Sequence, residues 1–355
     1  MKKIAIITLQ PHTNYGGILQ IYAMQTVLEK NGFLVDVIAP GDVTQVLPWM
    51  KGLPKADKDF VMQHTNRFIH RHLHIRKVDF NERKENDYDA FVVGSDQVWR
   101  YRYANAMLGN FENVFLKFTD GWNVRRIAYA PSFGLETWEA SEEIIPEISR
   151  LLAAFDAVSV REDSGVTICK KLLHREDAVH VLDPTMLLCS DDYKALIDHA
   201  ETHEVNGGMA CYVLNMDNEK EKLIGTVSAA QGIKPFSMQS NIECAECSLD
   251  DRIQPPLEQW LRSFRDAEFV ITDSFHATVF SILFHRRFIV TGNPGRGLAR
   301  IHSILSSLGL EKHLVMNADE YDPDFDYSIP ESTYVALDNL RGSSRLFFDS
   351  ALKTI

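Results

Sequence analysis

The sequence predicts an α/β protein built from two Rossmann-like domains, and three observations support that class. Short β-branched runs alternate with stretches of helical period along most of the chain. Several of these runs are apolar on both faces, as in a parallel sheet covered by helices. At 355 residues the chain is long for one hydrophobic core. Runs at 3–9, 34–39, 89–94, 126–130, 157–161 and 179–182 read as strands of the first domain. Those at 208–214, 233–238, 268–272 and 287–291 read as strands of the second. The boundary falls at Asp183-Pro184, where proline disfavours helix in the preceding residue, giving domains 1–184 and 185–333. The polar, mostly helical stretch 43–86 reads as an insertion packed on the first domain, and a helix over 334–355 is expected to return to it. The segment 239–258, with Pro255-Pro256, reads as a loop.

Composition narrows the function. Hydrophobic residues make up 45% and charged residues 24%, as in ordinary globular proteins. The formal charge of −12 opposes a surface made for nucleic acid or anionic lipid, because such binding needs clustered Lys and Arg. An anionic ligand must then be held by a local group of cations. The N-terminus begins with two lysines like a signal peptide, but its apolar run ends by Leu9 and reads as a buried first strand. No later apolar run is long enough to span a bilayer, so the expected location is the cytoplasm. Five cysteines suit reduced thiols better than a disulfide framework. Cys244 and Cys247 have C-x-x-C spacing, yet no second pair completes a zinc site. His70, His72 and His74 lie in a helical stretch where their side chains diverge, and they read as surface residues.

Five segments can carry chemistry. Asn14, Tyr15, Gly16 and Gly17 lie between the first strand and a helix expected over 18–31. Paired glycines admit a ligand to the backbone, and the helix terminus presents free N–H groups; tight-turn glycines are the other reading. The segment lacks the G-x-G-x-x-G fingerprint of a nicotinamide site. The third strand delivers Ser95, Asp96 and Gln97 to its C-terminal end, where ligands sit in open α/β sheets. Asp96 there orients a hydroxyl or takes its proton, or else caps the next helix. Arg161 follows an apolar strand and needs a bound anion or a carboxylate partner, for which Glu162 and Asp163 are nearest. In the run 269–290, Asp273 and Ser274 make a turn and His276 falls in the first turn of a helix starting near Phe275. An imidazole at that point suits acid–base work beside an anion, or bonds its own turn. Arg296 and Arg300, four apart in a Gly-rich loop at a helix start, can clamp a phosphate or carboxylate, or line a solvated face.

Taken in order, NYGGILQIYAMQ, GSDQVW, SVRED, VLDPT, PPLEQWL, DAEFVITDSFHATVFSILF and the loop with Arg296 and Arg300 resemble the motifs of the polysaccharide pyruvyl transferase family. The likeness covers nearly the full chain, and GSDQVW and TDSFHA are its most specific parts. It implies a GT-B-like fold, two Rossmann-like domains facing a cleft. It also implies phosphoenolpyruvate as co-substrate, with no cofactor or metal, and transfer of pyruvate as a ketal to two hydroxyls of a hexose in a surface-polysaccharide precursor. The acceptor would be a sugar or a lipid-linked saccharide, the latter bringing peripheral contact with the membrane. The resemblance maps the donor site onto Arg161 and His276. Family members of known activity often carry Arg two positions before the histidine, where Ser274 stands here, so Arg296 or Arg300 must supply that cation. On this reading His276 is the acid or a phosphate ligand, and Asp96 or Asp273 is the base. Arg161, Ser274, Phe275, Arg296 and Arg300 complete the donor site, and Asn14 to Gly17 with Ser95 to Gln97 meet the acceptor. Two other readings fit the same architecture: a nucleotide-sugar glycosyltransferase and a non-catalytic glycan-binding member.

Overall fold

The computed structural model describes residues 1–39, 48–77, 80–293, 295 and 297–353. The chain separates into two compact units. The first contains Met1–Pro54, Asn66–Leu187 and Asn339–Ile355, and the second Lys55–Thr65 and Leu188–Asp338. In chain order the elements up to the end of the first sheet are β1 (Lys3–Ile7), α1 (Tyr15–Lys30), β2 (Leu34–Ile38), α2 (Lys55–Val61), α3 (Gln63–His72), β3 (Ile75–Arg76), β4 (Ala90–Val93), α4 (Tyr101–Leu108), β5 (Arg125–Ala128), α5 (Ile145–Ala153), β6 (Ala157–Val160), α6 (Asp163–Lys171) and β7 (Val179–His180). Then come α7 (Ser190–Asp198), β8 (Met209–Tyr212), α8 (Asn218–Gln231), β9 (Pro235–Ser237), α9 (Leu249–Arg252), α10 (Leu257–Asp266), β10 (Phe269–Thr272), α11 (Phe275–Leu283), β11 (Arg287–Val290), α12 (Ala299–Leu308) and α13 (Glu331–Leu352).

The first unit holds a seven-stranded parallel sheet of order β3-β2-β1-β4-β5-β6-β7. Its central strands are buried on both faces, which is why they read as continuous apolar runs. From β1 the chain builds outward to β2 and β3, then returns to add β4 on the other side, so the order reverses between β1 and β4. The core on one face centres on Trp99, whose indole stacks on Phe115 at 4.9 Å and meets Phe133 at 5.2 Å. Trp99 Nε1 donates to Val114 O at 3.0 Å, so its polar atom is satisfied inside that core. The second half of α13 belongs to this unit. Ser344 accepts from Leu182 N, Arg341 and Arg345 donate to Met186 O and Leu187 O, and Phe348 packs on Tyr129.

A four-stranded parallel sheet of order β11-β10-β8-β9 forms the second unit, and its reversal point lies between β8 and β10. On α10, Leu257, Trp260, Leu261 and Phe264 recur at helical spacing and are buried. Trp260 meets Tyr212 at 5.2 Å and Phe280 at 5.4 Å, which fixes the helix against the sheet.

Four expectations from sequence are corrected. The strand β3 was hidden in the helical stretch, being only two residues long. That stretch does not pack as one piece on the first unit: α2 lies against α9, and Lys55–Thr65 groups with the second unit. Parts of the expected insertion, 43–47 and 78–79, lie outside the described residues. The cysteines are not all thiols, because Cys244 and Cys247 form a disulfide with Cα atoms 5.4 Å apart. Burial pushes the Cys169 and Cys211 thiols up to about 12, which leaves them inert as nucleophiles. Of the three alternating histidines, His70 and His74 are exposed, while His72 packs against Phe68 and Tyr22. Among the described residues no helix is long and apolar enough to cross a membrane.

The second unit also buries a histidine. His313 Nδ1 donates to Phe288 O at 3.0 Å and its ring stacks on Phe288. Burial lowers its pKa, opposed by the bond to the Phe288 carbonyl. The folded chain therefore takes up this proton later than the unfolded chain, whose histidine titrates near ~6.5. The stability contribution is complete above that value and is lost as pH falls below it. Urea unfolding of wild type should thus weaken between pH 7.5 and 5.5 by more than that of His313→Phe, and equal losses would contradict the assignment.

Candidate functional site

The turns at Ser95–Gln97 and Asp273-Ser274 lie at the reversal points of their sheets, where the loops after two adjacent strands diverge, while Arg161 follows β6 and Arg300 follows β11. In the first unit the diverging loops are those after β1 and β4. Gly94 ends β4 with φ +132°, and a Cβ there would fall onto Tyr129 O, so only glycine fits. The Gly94–Ser95 peptide is cis, and Asp96 takes a left-handed φ of 54°. Ser95 is then tied on every side. Its N–H donates to Gln20 Oε1 at 2.9 Å, its carbonyl accepts from Thr8 Oγ1 at 3.2 Å, and its hydroxyl reaches Ala130 O at 2.6 Å and Asp183 Oδ2 at 3.1 Å. Gln20 closes the circuit by donating to Thr8 Oγ1 and Gly17 O.

The glycine pair is not in a loop. Asn14 caps α1, accepting from Gly17 N at 3.2 Å, and Tyr15, Gly16 and Gly17 are the first helical residues, three earlier than the sequence suggested. Tyr15 is fully buried. A Cβ at Gly17 would meet nothing closer than 3.5 Å, and that atom belongs to Asn14. The protein's own packing therefore does not demand glycine at that position.

Arg161 has carboxylate partners, but not the neighbours expected. Its side chain is 1% exposed; Nη1 lies 2.6 Å from Asp183 Oδ2 and Nη2 lies 3.1 Å from Asp96 Oδ1. Burial alone would lower its pKa, yet Asp183 and Asp96 outweigh that and raise it, so the guanidinium stays charged. Glu162 instead accepts from Ser132 Oγ and Phe133 N, and Asp163 is largely exposed beside His180. Asp96 is no helix cap, since α4 starts at Tyr101 behind Arg100. Gln97 Oε1 accepts from Arg100 Nη1 at 3.1 Å. A groove of about 620 Å³ lined by Lys2, Asp89, Arg125 and Asp156 opens at the N-terminal ends of β1, β4, β5 and β6, away from these loops. Its charges are already used in Lys2–Asp89 and Arg125–Asp156 pairs.

In the second unit the turn after β10 meets the loop after β8. The Asp273 carboxylate is fully buried and accepts from Leu214 N, Asn215 N, Lys220 Nζ and Asn293 Nδ2 at 2.6 to 3.1 Å. Four donors fill its acceptor positions, so it serves as a clamp across three strand ends. This corrects the expectation of Asp273 as a base. Ser274 precedes α11 without a side-chain cap bond, its N–H donating to Thr272 Oγ1. His276 is 5% exposed in the first turn of α11, edge-on to Phe275 at 5.2 Å. Arg300, in the first turn of α12 and 6% exposed, places its guanidinium 5.8 Å from the Phe275 ring centroid. Phe275 thus joins the imidazole to the cation. Arg296 lies outside the described residues.

Comparison with curated proteins finds no match. Among solved structures, Arabidopsis thaliana UGT89C1 complexed with quercetin shares 8% identity over 99% of this chain and 95% of that one, with a TM-score of 0.49. Acinetobacter baumannii MurG shares 9% over 98% and 100%, TM-score 0.47, and E. coli heptosyltransferase WaaC with ADP shares 10% over 97% and 98%, TM-score 0.41. The profile of the polysaccharide pyruvyl transferase family matches residues 14–294. The chain belongs to that family. The pyruvyl transferase match starts at the Asn14 cap and takes in Asp96, Arg161, Asp273 and His276, while Arg296 and Arg300 lie past its end.

Sequence reasoning missed Lys220, Asn215 and Asn293 as partners of Asp273. Lys220 sits in the charged run DNEKEK, which looks like a solvated helix face, yet its side chain is 6% exposed. Asp183 was visible only as a domain boundary, although an acid between a strand and a proline is also placed to cap the turn after it; Asp183 accepts from Thr185 N and Oγ1. Asp273→Asn should destabilise the protein by ~3–5 kcal/mol, because Lys220 keeps a buried charge without its partner. Chemical denaturation measures this, and a loss under ~1 kcal/mol would refute the clamp.

Proposed function

We propose that this member transfers the pyruvyl group of phosphoenolpyruvate to two hydroxyls of a hexose in a surface-polysaccharide precursor, forming a ketal and releasing phosphate. Family membership supports the reaction class. The observation that carries the donor is the trio of His276, Phe275 and Arg300 at the start of α11 and α12. Phosphoenolpyruvate bears a carboxylate and a phosphate, and a buried cation beside a helix N-terminus offers both charge and N–H donors. Arg300 then stands in for the cation that Ser274 does not supply.

The chemistry needs a proton on the donor's methylene carbon, which makes the adjacent carbon electrophilic, and removal of a proton from the attacking hydroxyl. His276 gives the first proton or binds the phosphate. Asp96, a carboxylate at the end of β4 beside the Arg161 guanidinium, takes the second. The C–O bond to phosphate breaks, the second hydroxyl closes the ketal as its proton leaves with the phosphate, and the proton held by Asp96 returns through solvent to restore the one given to the methylene carbon. Arginine and helix N–H groups offset the donor's charge as it moves onto the leaving phosphate. Asn14 to Gly17 and Ser95 to Gln97, gathered at one reversal point, are assigned to the acceptor, with the buried Tyr15 and the fully bonded Ser95 supporting the backbone around it. A saccharide carried on a lipid would bring the protein to the membrane surface without any spanning helix, and the chemistry fits a cytoplasmic enzyme.

Phosphoenolpyruvate should raise the melting temperature while uridine and guanosine nucleotides leave it unchanged, and phosphate should appear when a hexose acceptor is added. His276→Ala should abolish phosphate release at unaltered melting temperature. Arg300→Ala should raise KM for phosphoenolpyruvate by ~10- to 100-fold, the worth of one charged hydrogen bond. Stabilisation by a nucleotide alone, or full activity of His276→Ala, would refute the proposal.

A further inference from the structure

The segment IQPPLEQWL, residues 253–261, leads into α10 and holds two polar side chains that the second unit covers without bonding. Glu258, in the first turn of α10, is 4% exposed, and Gln254, two residues before the Pro256 cap, is 7% exposed. Among the described residues, neither Glu258 Oε2 nor Gln254 Oε1 has a hydrogen-bond donor. Buried polar atoms in folded proteins are nearly always bonded, and a buried carboxylate is costly unless it is paired. We propose that Glu258 and Gln254 form a binding site for the hydroxyl groups of a saccharide, with both side-chain oxygens accepting. That this saccharide is the acceptor substrate rests on the pyruvyl-transfer reading.

The two residues lie at the reactive edge of their sheet. Helix α10 ends at Asp266, three residues before β10, and its ten residues run back for about 15 Å, against about 13 Å for the four-residue strand. Trp260, two residues after Glu258, meets Tyr212, the last residue of β8, at 5.2 Å and Phe280 of α11 at 5.4 Å. The first turn of α10 is therefore level with the strand ends, the edge at which the first turn of α11 carries His276. The chemistry of the two oxygens selects the ligand. Both only accept, so whatever meets them must donate. Phosphoenolpyruvate brings a carboxylate and a phosphate, which are acceptors and are repelled by Glu258. A divalent cation needs about six oxygen ligands, and among the described residues no group of three metal-binding side chains occurs. A saccharide has hydroxyls on neighbouring carbons, each with one proton to donate, and no charge to be repelled.

The test uses the methyl β-D-pyranosides of glucose, galactose and mannose as probes, with their affinity read by ligand-observed NMR, phosphoenolpyruvate affinity by calorimetry and turnover by phosphate release. Wild type is compared with Glu258→Met and Gln254→Met, which keep side-chain volume and remove the acceptor oxygen, and with Glu258→Gln, which keeps an oxygen without the charge. Wild type should bind at least one glycoside. Glu258→Met should weaken that binding and raise the glycoside KM by about 10- to 100-fold, Glu258→Gln by less, and Gln254→Met by about 3- to 10-fold. Phosphoenolpyruvate affinity should not change. Melting temperatures of the Met variants should equal or exceed wild type, since each removes a buried acceptor that the protein itself does not bond. Should Glu258→Met fail to fold, Glu258→Gln supplies the same comparison. No glycoside binding by wild type, binding that survives the Glu258 substitutions, a lowered melting temperature with binding intact, or a tenfold loss of phosphoenolpyruvate affinity would overturn the inference. A wild type that binds glycoside through these residues but neither binds phosphoenolpyruvate nor releases phosphate would keep the site and overturn the pyruvyl-transfer reading.

Discussion

A guanidinium shut away from water must have counter-charges within reach, and the first unit is organised around meeting that need for Arg161. Its two partners come from the ends of different strands, 22 and 65 residues away in sequence. Asp183 also accepts from Ser95 Oγ, and Ser95 N–H donates to Gln20 of α1. One buried charge therefore draws together the ends of β4, β6 and β7 and the first helix. Were any link absent, the others would be left with polar atoms in a low-dielectric interior.

The second unit solves a similar problem with the charges exchanged. There the central group is a carboxylate, Asp273, and its donors are two backbone N–H groups, a lysine and an asparagine. Asp273 sits at the strand-order reversal of its sheet, whereas Arg161 and Asp183 follow β6 and β7 and reach across to the turn after β4. Asp273 holds the backbone of Leu214 and Asn215 after β8, and Asp183 with Arg161 reaches Asp96. Rigid supports of this kind keep chemically useful side chains in place next to a crevice.

Much of this was legible in the residues. The central strands β1, β4, β8 and β10 stand out as apolar runs because a doubly covered parallel strand has no polar face to interrupt it. The turn at Asp273-Ser274 and the helix from Phe275 follow from a strand ending in small polar residues, and GSDQVW with TDSFHA mark the family. The start of α1 was misplaced because glycines read as turn residues, whereas here Asn14 supplies the cap and they take helical positions behind it. The pairing of Cys244 with Cys247 was also missed, since spacing alone does not bring two sulfurs together. Likewise the path of Lys55–Thr65 depends on which surface α2 meets, and its own polar sequence does not say.

By itself the sequence determined the alternation of strand and helix, the class of fold and the family, because periodicity and ordered motifs are local properties of the chain. Only the tertiary structure decided which charges neutralise one another. Arg161 has acidic neighbours at 162 and 163 yet pairs with 96 and 183. Residues next to one another beyond a strand end need not face the same way, while the ends of adjacent parallel strands are brought within bonding distance by the sheet.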